Sequence, residues 1–313
     1  MSIPSPFLTR TPELQSVLRA ATLVAQTDVP VLVQGERGSG KAQLAYTIHQ
    51  ESPRRQAALV NVKCATLQGE MAESTLFGHL AGVGHEKAHG GLIGQAVGGT
   101  LFLDEVEALP LELQAKLLPL LEQGLATPVG STQPHRVDVR LIISSHVDLA
   151  RRVADGRFRE DLFYRINMAP LTLLPLRDRP ADIPLLVKQH LATAAQQFDQ
   201  KTPRLARNAM QALKQYNWPG NMQALQNLCT QLAIYHGDRT VEVEDLPLQQ
   251  GGEVVREDPF VLPHGGVDLA NLERELIEQA LSRCTGNKSK AARLLGLTRD
   301  TLLYRLKKYA IEA

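Results

Sequence analysis

Three groups of side chains in this 313-residue chain have the types and spacing to handle a phosphate chain. The first is Gly35-Glu36-Arg37-Gly38-Ser39-Gly40-Lys41, which follows the apolar run Val31-Leu32-Val33 and precedes a helical stretch from Ala42 to His49. Strand, glycine loop, lysine and helix in that order form a phosphate-binding P-loop in its proper setting. Gly35, Gly38 and Gly40 allow backbone N–H groups to turn inward, and the helix N-terminus adds positive dipole. Lys41 would neutralise the outer phosphates. The pattern wants Ser or Thr after the lysine to help hold Mg²⁺, and Ala42 stands there. A glycine turn that binds nothing is the plainer account, and the flanking strand and helix argue against it. The second group is Asp104-Glu105, closing the apolar run Thr100-Leu101-Phe102-Leu103. An Asp at a strand's C-terminal end can hold Mg²⁺ through water, and the adjacent Glu can polarise an attacking water. Alone, this acid pair would read as a solvated turn. The third group is Arg159 and Arg165, within the stretch from Gly156 to Asn167. Spacing alone assigns them no role, and surface salt bridges to Glu160 and Asp161 would explain them.

The elements that must carry these groups alternate in type. Thr11 to Gln26 places Leu14, Val17, Leu18, Ala21, Val24 and Ala25 at helical spacing. Strands are predicted at Val31–Val33, Ala58–Val62, Thr100–Glu105 and Asp138–Ser145, and helices over Leu67–Phe77 and Leu111–Gln123, with Pro119 a possible kink. Gly78 to Gly94 holds six glycines and three histidines and reads as a loop. Strands alternating with helices imply a parallel sheet covered on both faces. After about Leu173 strand signals stop, and Asp182–Phe198, Leu205–Tyr216 and Asn221–His236 read as three helices of a small second domain. Gln249 to Gly266, rich in Gly and Pro, reads as a linker. Asp268–Cys284 and Asn287–Tyr309 form a last helical unit.

Composition bounds the function. Hydrophobic content of 43% and charged content of 21% fit a globular chain, and the net charge is +1. Charge is uneven, however. Residues 287–313 carry seven Lys or Arg against Asp300 and Glu312, a local +5 that leaves −4 elsewhere. A basic C-terminal element points to nucleic acid. Three scattered cysteines, Cys64, Cys229 and Cys284, argue against a disulfide framework and suit a reducing cytoplasm. No signal pattern opens the chain, and no apolar run nears the roughly 18 residues a membrane span needs.

The last unit reads as a helix-turn-helix. Leu269, Leu272, Leu276, Ile277, Ala280 and Leu281 give one helix an apolar face. Asn287 caps a second helix holding Ala291, Ala292, Leu294 and Leu295; Gly296-Leu297 turns; Thr298 caps a third, from which Leu302, Leu303 and Leu306 pack inward. Thr298, Arg299, Thr301, Tyr304 and Arg305 are placed to face DNA, and Lys307 and Lys308 to take phosphates. A helical hairpin that binds no DNA is the plainer alternative. Paired units would read an inverted repeat with half-sites roughly 34 Å apart, or a multiple of that.

Together these stretches resemble the bacterial enhancer-binding proteins, the AAA+ activators of sigma-54 RNA polymerase. The resemblance rests on Gly35–Lys41, Leu76-Phe77-Gly78-His79, Gly98–Glu105, Phe158–Arg165, Leu174-Pro175-Leu176-Arg177-Asp178-Arg179 and Trp218-Pro219-Gly220-Asn221, in order across about residues 8–248, with a Fis-type unit behind them. It implies an α/β AAA+ P-loop NTPase subdomain with a parallel sheet over 1–172, a small helical lid over 173–248, a linker over 249–267 and an all-α Fis-type helix-turn-helix over 268–313. It also implies ATP and Mg²⁺ at the interfaces of a ring. Gly35, Glu36, Arg37, Gly38, Ser39, Gly40, Lys41 and Ala42 would bind nucleotide, Asp104 would serve Mg²⁺ and Glu105 would be the base. Arg159 and Arg165 match arginine fingers that reach a neighbour's ATP.

Four departures cluster on function. The family's Gly-Ala-Phe-Thr-Gly-Ala loop, which touches sigma-54, is replaced by Gly82-Val83-Gly84-His85-Glu86-Lys87. The Asn that senses the catalytic Glu is Lys63, with Asn61 on the same strand face but not in register. The Asn closing the sensor strand is His146, and the lid Arg that contacts ATP is Gln223, followed by Ala224 in place of Glu. A lost charge-assisted hydrogen bond of that kind is worth roughly 1.5 to 3 kcal/mol. The expectation is a DNA- and ATP-binding regulator, dimeric or ring-forming, whose sigma-54 remodelling and hydrolysis are impaired. A fully active sigma-54 activator working on RNA polymerase holoenzyme is the alternative, and a general AAA+ motor a third reading. Only about ten residues precede the first helix, so control is expected from a regulatory protein in trans, a nucleotide or expression level. His85-Glu86-Lys87-Ala88-His89 matches a zinc-protease pattern, but bracketing glycines disfavour the long helix it requires.

Overall fold

A computed structural model describes residues 7–69, 71–82, 88–248, 269–284, 287–309 and 311. The expected linker over 249–267, loop residues 83–87 and the side chains of Leu269 and Leu272 lie outside the described residues. The chain divides into two compact units, Met1–Leu248 and Gln249–Ala313.

In chain order the first unit runs α1 (Pro12–Ala25), β1 (Val31–Gln34), α2 (Lys41–Gln50), β2 (Leu59–Lys63), α3 (Met71–Phe77), α4 (Gly91–Gln95), β3 (Thr100–Asp104), α5 (Leu111–Gln123), β4 (Leu125–Ala126), β5 (His135–Arg136), β6 (Arg140–Ser145), α6 (Leu149–Ala154), α7 (Glu160–Ile166) and β7 (Ala169–Thr172). Five strands form one parallel sheet in the order β2-β3-β6-β1-β7. Continuous apolar strands are what a sheet covered on both faces demands. Alternation along β1 splits it: Val31 and Val33 join the core under α1 and α2, with Leu14, Leu44 and Ile48. Leu32 joins the opposite core, with Leu76, Leu113, Leu117 and Leu162.

The lid follows as α8 (Ile183–Gln197), β8 (Arg204–Leu205), α9 (Arg207–Gln215), α10 (Asn221–His236) and β9 (Thr240–Val241). Its core gathers Leu186, Leu213, Leu225 and Leu232 around Trp218, which is 1% exposed. The second unit holds α11 (Leu269–Arg283), α12 (Lys288–Leu294) and α13 (Arg299–Lys308).

Several expectations are corrected. The helix predicted from Leu67 begins only at Met71, because Gly69 takes φ 72° and breaks the run. The glycine-rich loop to Gly94 is cut short by α4. Strands do not end at Leu173: β8 and β9 pair in parallel as a two-residue ladder, too short for a periodic signal. In the second unit Leu276 and Leu294 are exposed, at 44% and 56%, and stand off the apolar face assigned to them. The zinc-protease pattern has no helix under it at His89, which pairs with His79 in a β-bridge instead.

Candidate functional site

The glycine loop joins β1 to α2 at the C-terminal edge of the sheet, where ligands bind in folds of this kind. Gly38 (φ 72°) passes so close to the lid that a Cβ there would lie 2.4 Å from the Gly220 carbonyl oxygen. Gly40, at φ 109°, opens α2, whose first amides have no helical acceptor. Inside the loop the Ser39 hydroxyl is buried and finds no partner among the described residues. Lys41 is 7% exposed and donates to the carbonyls of Gly35 (2.9 Å) and Glu36 (3.0 Å). Burial lowers its pKa, and the negative charges of Asp104, Glu107 and Glu105 oppose that shift. A buried ammonium under the influence of three carboxylate charges, in a glycine loop that opens a helix, is arranged for an anion flanked by a cation. Ala42 is exposed and offers no hydroxyl.

Opposite the loop, β3 delivers the acid pair. Asp104 accepts a short hydrogen bond from the Ser144 hydroxyl of β6, and the Glu105 N–H donates to that same hydroxyl at 3.1 Å. Glu105 sits at φ 58°, an uncommon conformation for a non-glycine residue. Its Oε1 accepts from Arg37 Nε at 3.1 Å and lies 3.5 Å from His146 Nδ1. His146 Nδ1 is also 2.5 Å from Glu107 Oε1, off the hydrogen-bond axis, and makes no hydrogen bond there. The His146 backbone N–H donates to Glu107 at 3.1 Å. Glu107 is 5% exposed, and its Oε2 is buried without a partner among the described residues. Lys63 and Asn61 are both exposed on the edge strand, with Lys63 in register with Asp104.

The lid grips the loop from its other side. Arg177 binds Glu36 through two bonds of 2.9 and 2.6 Å. Asn221, at φ 49° beside Trp218 at φ 48°, donates to Glu36 and to the Arg37 carbonyl and accepts from the Leu176 N–H. Arg179, 1% exposed, donates to the Ser39 carbonyl at 2.8 Å. Buried Asp182 accepts from Thr9 and from the amides of Arg10 and Thr11. None of these four roles was assigned from sequence, although Arg177, Arg179 and Asn221 lie in stretches singled out there. Gln223 faces solvent and pairs with Asn227 at 3.1 Å.

Arg159 and Arg165 make no hydrogen bond or ion pair with this chain's own loop among the described residues. Arg159 makes a two-pronged pair with Asp161 at 3.1 and 2.7 Å, and Arg165 donates to the Leu121 carbonyl at 3.3 and 3.2 Å.

In the second unit Asn287 caps α12 and Thr298 caps α13 through their side chains, and Gly296 turns at φ 65°. Leu302 and Leu306 are buried, leaving Arg299, Tyr304, Lys307 and Lys308 exposed; Tyr304 is 70% exposed. Thr301 shares a hydroxyl bond with Thr298. Arg305 departs from its expected outward role: it forms a short ion pair with Glu273 of α11, which also accepts from the Tyr309 hydroxyl. Lys308 lies over the Tyr309 ring at 4.8 Å.

Comparison with known proteins places all three parts. Residues 7–172 match the sigma-54 interaction domain, 177–258 an AAA+ ATPase lid domain and 268–309 the bacterial regulatory proteins of the Fis family. The chain is 36% identical to the DNA-binding transcriptional regulator NtrC of Salmonella typhimurium, over 96% of its own length and 69% of the relative's. It is 38% identical to the response regulator PilR of Pseudomonas aeruginosa, over 97% and 70%. Among solved structures, NtrX of Brucella abortus in complex with ATP is similar at TM-score 0.71 and 31% identity, over 97% of this chain and 69% of that one.

Proposed function

Because the chain belongs to the AAA+ activators of sigma-54 RNA polymerase, with their Fis-type DNA-binding unit, we propose that it is a sequence-specific regulator that loads ATP and is impaired in remodelling sigma-54. The observation that carries the nucleotide reading is the buried Lys41 ammonium in its glycine loop, under the influence of the Asp104 and Glu105 charges. The similar NtrX protein holds ATP in one structure and ADP in another. Residues 35–42 hold the triphosphate, with the unpartnered Ser39 hydroxyl available to it. The residues fit Mg²⁺, which takes one or two carboxylates plus phosphate oxygens and water. Asp104 would hold that ion, whose charge would help neutralise the phosphates. Glu105 orients and deprotonates the attacking water. Arg159 and Arg165 act on a neighbouring subunit's nucleotide; the Arg159–Asp161 pair is exposed and readily exchanged. Operator or enhancer DNA is read as an inverted repeat by Thr298, Arg299, Thr301 and Tyr304, with Lys307 and Lys308 on phosphates.

Impairment rests on the parts that couple nucleotide state to polymerase. The loop tip lacks the aromatic and hydroxyl of the family, Lys63 points to solvent, and Gln223 is turned to Asn227. The second reading, a fully active activator, is favoured by Lys41, Asp104 and Glu105 all being in place. Purified sigma-54 holoenzyme, promoter DNA and ATP separate the two. The expected result is nucleotide uptake with little open complex; strong ATP-dependent promoter opening supports the active reading instead.

A further inference from the structure

One oxygen of Glu105 is approached from two directions, with a hydrogen bond from Arg37 and a close imidazole nitrogen of His146 that makes no hydrogen bond. Arg37 approaches Oε1 from the phosphate loop at 3.1 Å, and His146 faces the same atom from the end of β6 at 3.5 Å. Oε2 makes no hydrogen bond among the described residues, so it is the oxygen left for a water. His146 cannot drift away. Its backbone N–H donates to Glu107, a carboxylate only 5% exposed, and its ring packs against that same side chain without a hydrogen bond. Glu107 holds an orphaned oxygen in the protein interior, a costly arrangement that the rest of the site must sustain. Arg37 has the opposite character: it is 68% exposed, rides on the loop that wraps phosphates, and leaves its two terminal nitrogens without partners among the described residues. One guanidinium can therefore span Glu105 and an incoming phosphate oxygen. Lys63, where the family carries an amide that senses this Glu, is exposed instead.

We propose that Arg37 and the Glu107-held His146 are positioning residues for Glu105, a two-sided clamp that aims its free oxygen at water and ties that aim to the loaded phosphate loop. His146 is the fixed jaw and Arg37 the jaw that meets the nucleotide. This rests on the reading that the loop binds ATP and that Glu105 is the base.

The test measures single-turnover ATP hydrolysis, together with the affinity for a fluorescent N-methylanthraniloyl ATP, in the full chain. His146→Ala and Arg37→Ala are compared with wild type, alone and combined with Glu105→Gln. Each single change is expected to slow hydrolysis about 10-fold or more. Nucleotide affinity should move by less than about threefold in His146→Ala, and should weaken in Arg37→Ala, which also loses its contact to phosphate. Retained affinity shows that His146→Ala folds, and an unchanged thermal unfolding curve shows the same for Arg37→Ala. In the Glu105→Gln background, adding His146→Ala should change the rate by less than about twofold, since its target is gone. Losses that multiply across the two sites, or single variants as fast as wild type, overturn the clamp. A wild-type protein that takes up the fluorescent nucleotide but never turns it over overturns the clamp and leaves nucleotide binding standing. One that takes up none overturns the nucleotide reading itself.

Discussion

Lys41 is the residue on which the nucleotide reading turns, and its chemistry was visible before any fold was known. The glycine spacing, the strand before it and the helix after it are all local in sequence, so the loop could be read directly. Replacing Lys41 by Ala removes the one buried ammonium at the loop. A charge-assisted hydrogen bond is worth roughly 1.5 to 3 kcal/mol, so ATP affinity should fall about 10- to 150-fold by equilibrium titration. Unchanged affinity would move the site elsewhere. The acid pair was equally legible, because an apolar strand running into Asp104-Glu105 is a contiguous signal. What surrounds those residues was not. Arg37 reaches Glu105 across 68 residues, Arg177 reaches Glu36 across 141, and Asn221 reaches Arg37 across 184. Periodicity and spacing describe neighbours along the chain, and these contacts exist only once the sheet order is set.

At the scale of elements, α13 carries two kinds of basic residue that sequence treats alike. Arg299, Lys307 and Lys308 are exposed, and Arg305 is bound to Glu273. Substituting Arg299 by Ala should cost about 1 to 3 kcal/mol of operator affinity and relax specificity at one base pair. The Lys307→Ala change should weaken binding to all sequences alike and lower the salt slope by about 1. Titrations of operator and random DNA at several salt concentrations distinguish the two. Arg305→Ala behaves differently: it frees Glu273, and Tyr309 loses the charge balance of its acceptor. Thermal unfolding of the protein should register that change in the second unit. Glu273→Gln, which keeps the amide oxygen as an acceptor for Tyr309, should be milder. A loss of operator discrimination in Arg305→Ala with the melting curve unchanged would return Arg305 to the DNA face. The caps at Asn287 and Thr298 and the Gly296 turn were readable because helix ends have side-chain signatures. Leu276 and Leu294 were misread because a helical stripe says which residues could face inward, and α11 and α12 are too few to cover every apolar position.

Across the first unit, lid and sheet meet at the phosphate loop, and one ion pair there has a pH signature. Arg177 holds the Glu36 carboxyl below the usual carboxylate range through their hydrogen bonds; partial burial opposes this and Asn221 reinforces it. A lowered carboxyl pKa contributes stability that is present above the unfolded value of about 4.3 and lost as pH falls through the lower folded value. The pair is about two-fifths exposed on both sides, so solvent screening keeps its contribution small. Glu36→Gln keeps the geometry and removes the charge. Trp218, the chain's single tryptophan, is buried in the lid core and gives a local readout of lid unfolding. Denaturant unfolding followed by Trp218 fluorescence should show wild type more stable than Glu36→Gln at neutral pH. The gap should narrow below about pH 4 and close once Glu36 is protonated. A gap that stays constant into acid would mean that the lid is held by Asn221 and Arg179 alone. The grip of lid on loop would then be a matter of neutral hydrogen bonds and one buried guanidinium, insensitive to the charge at Glu36.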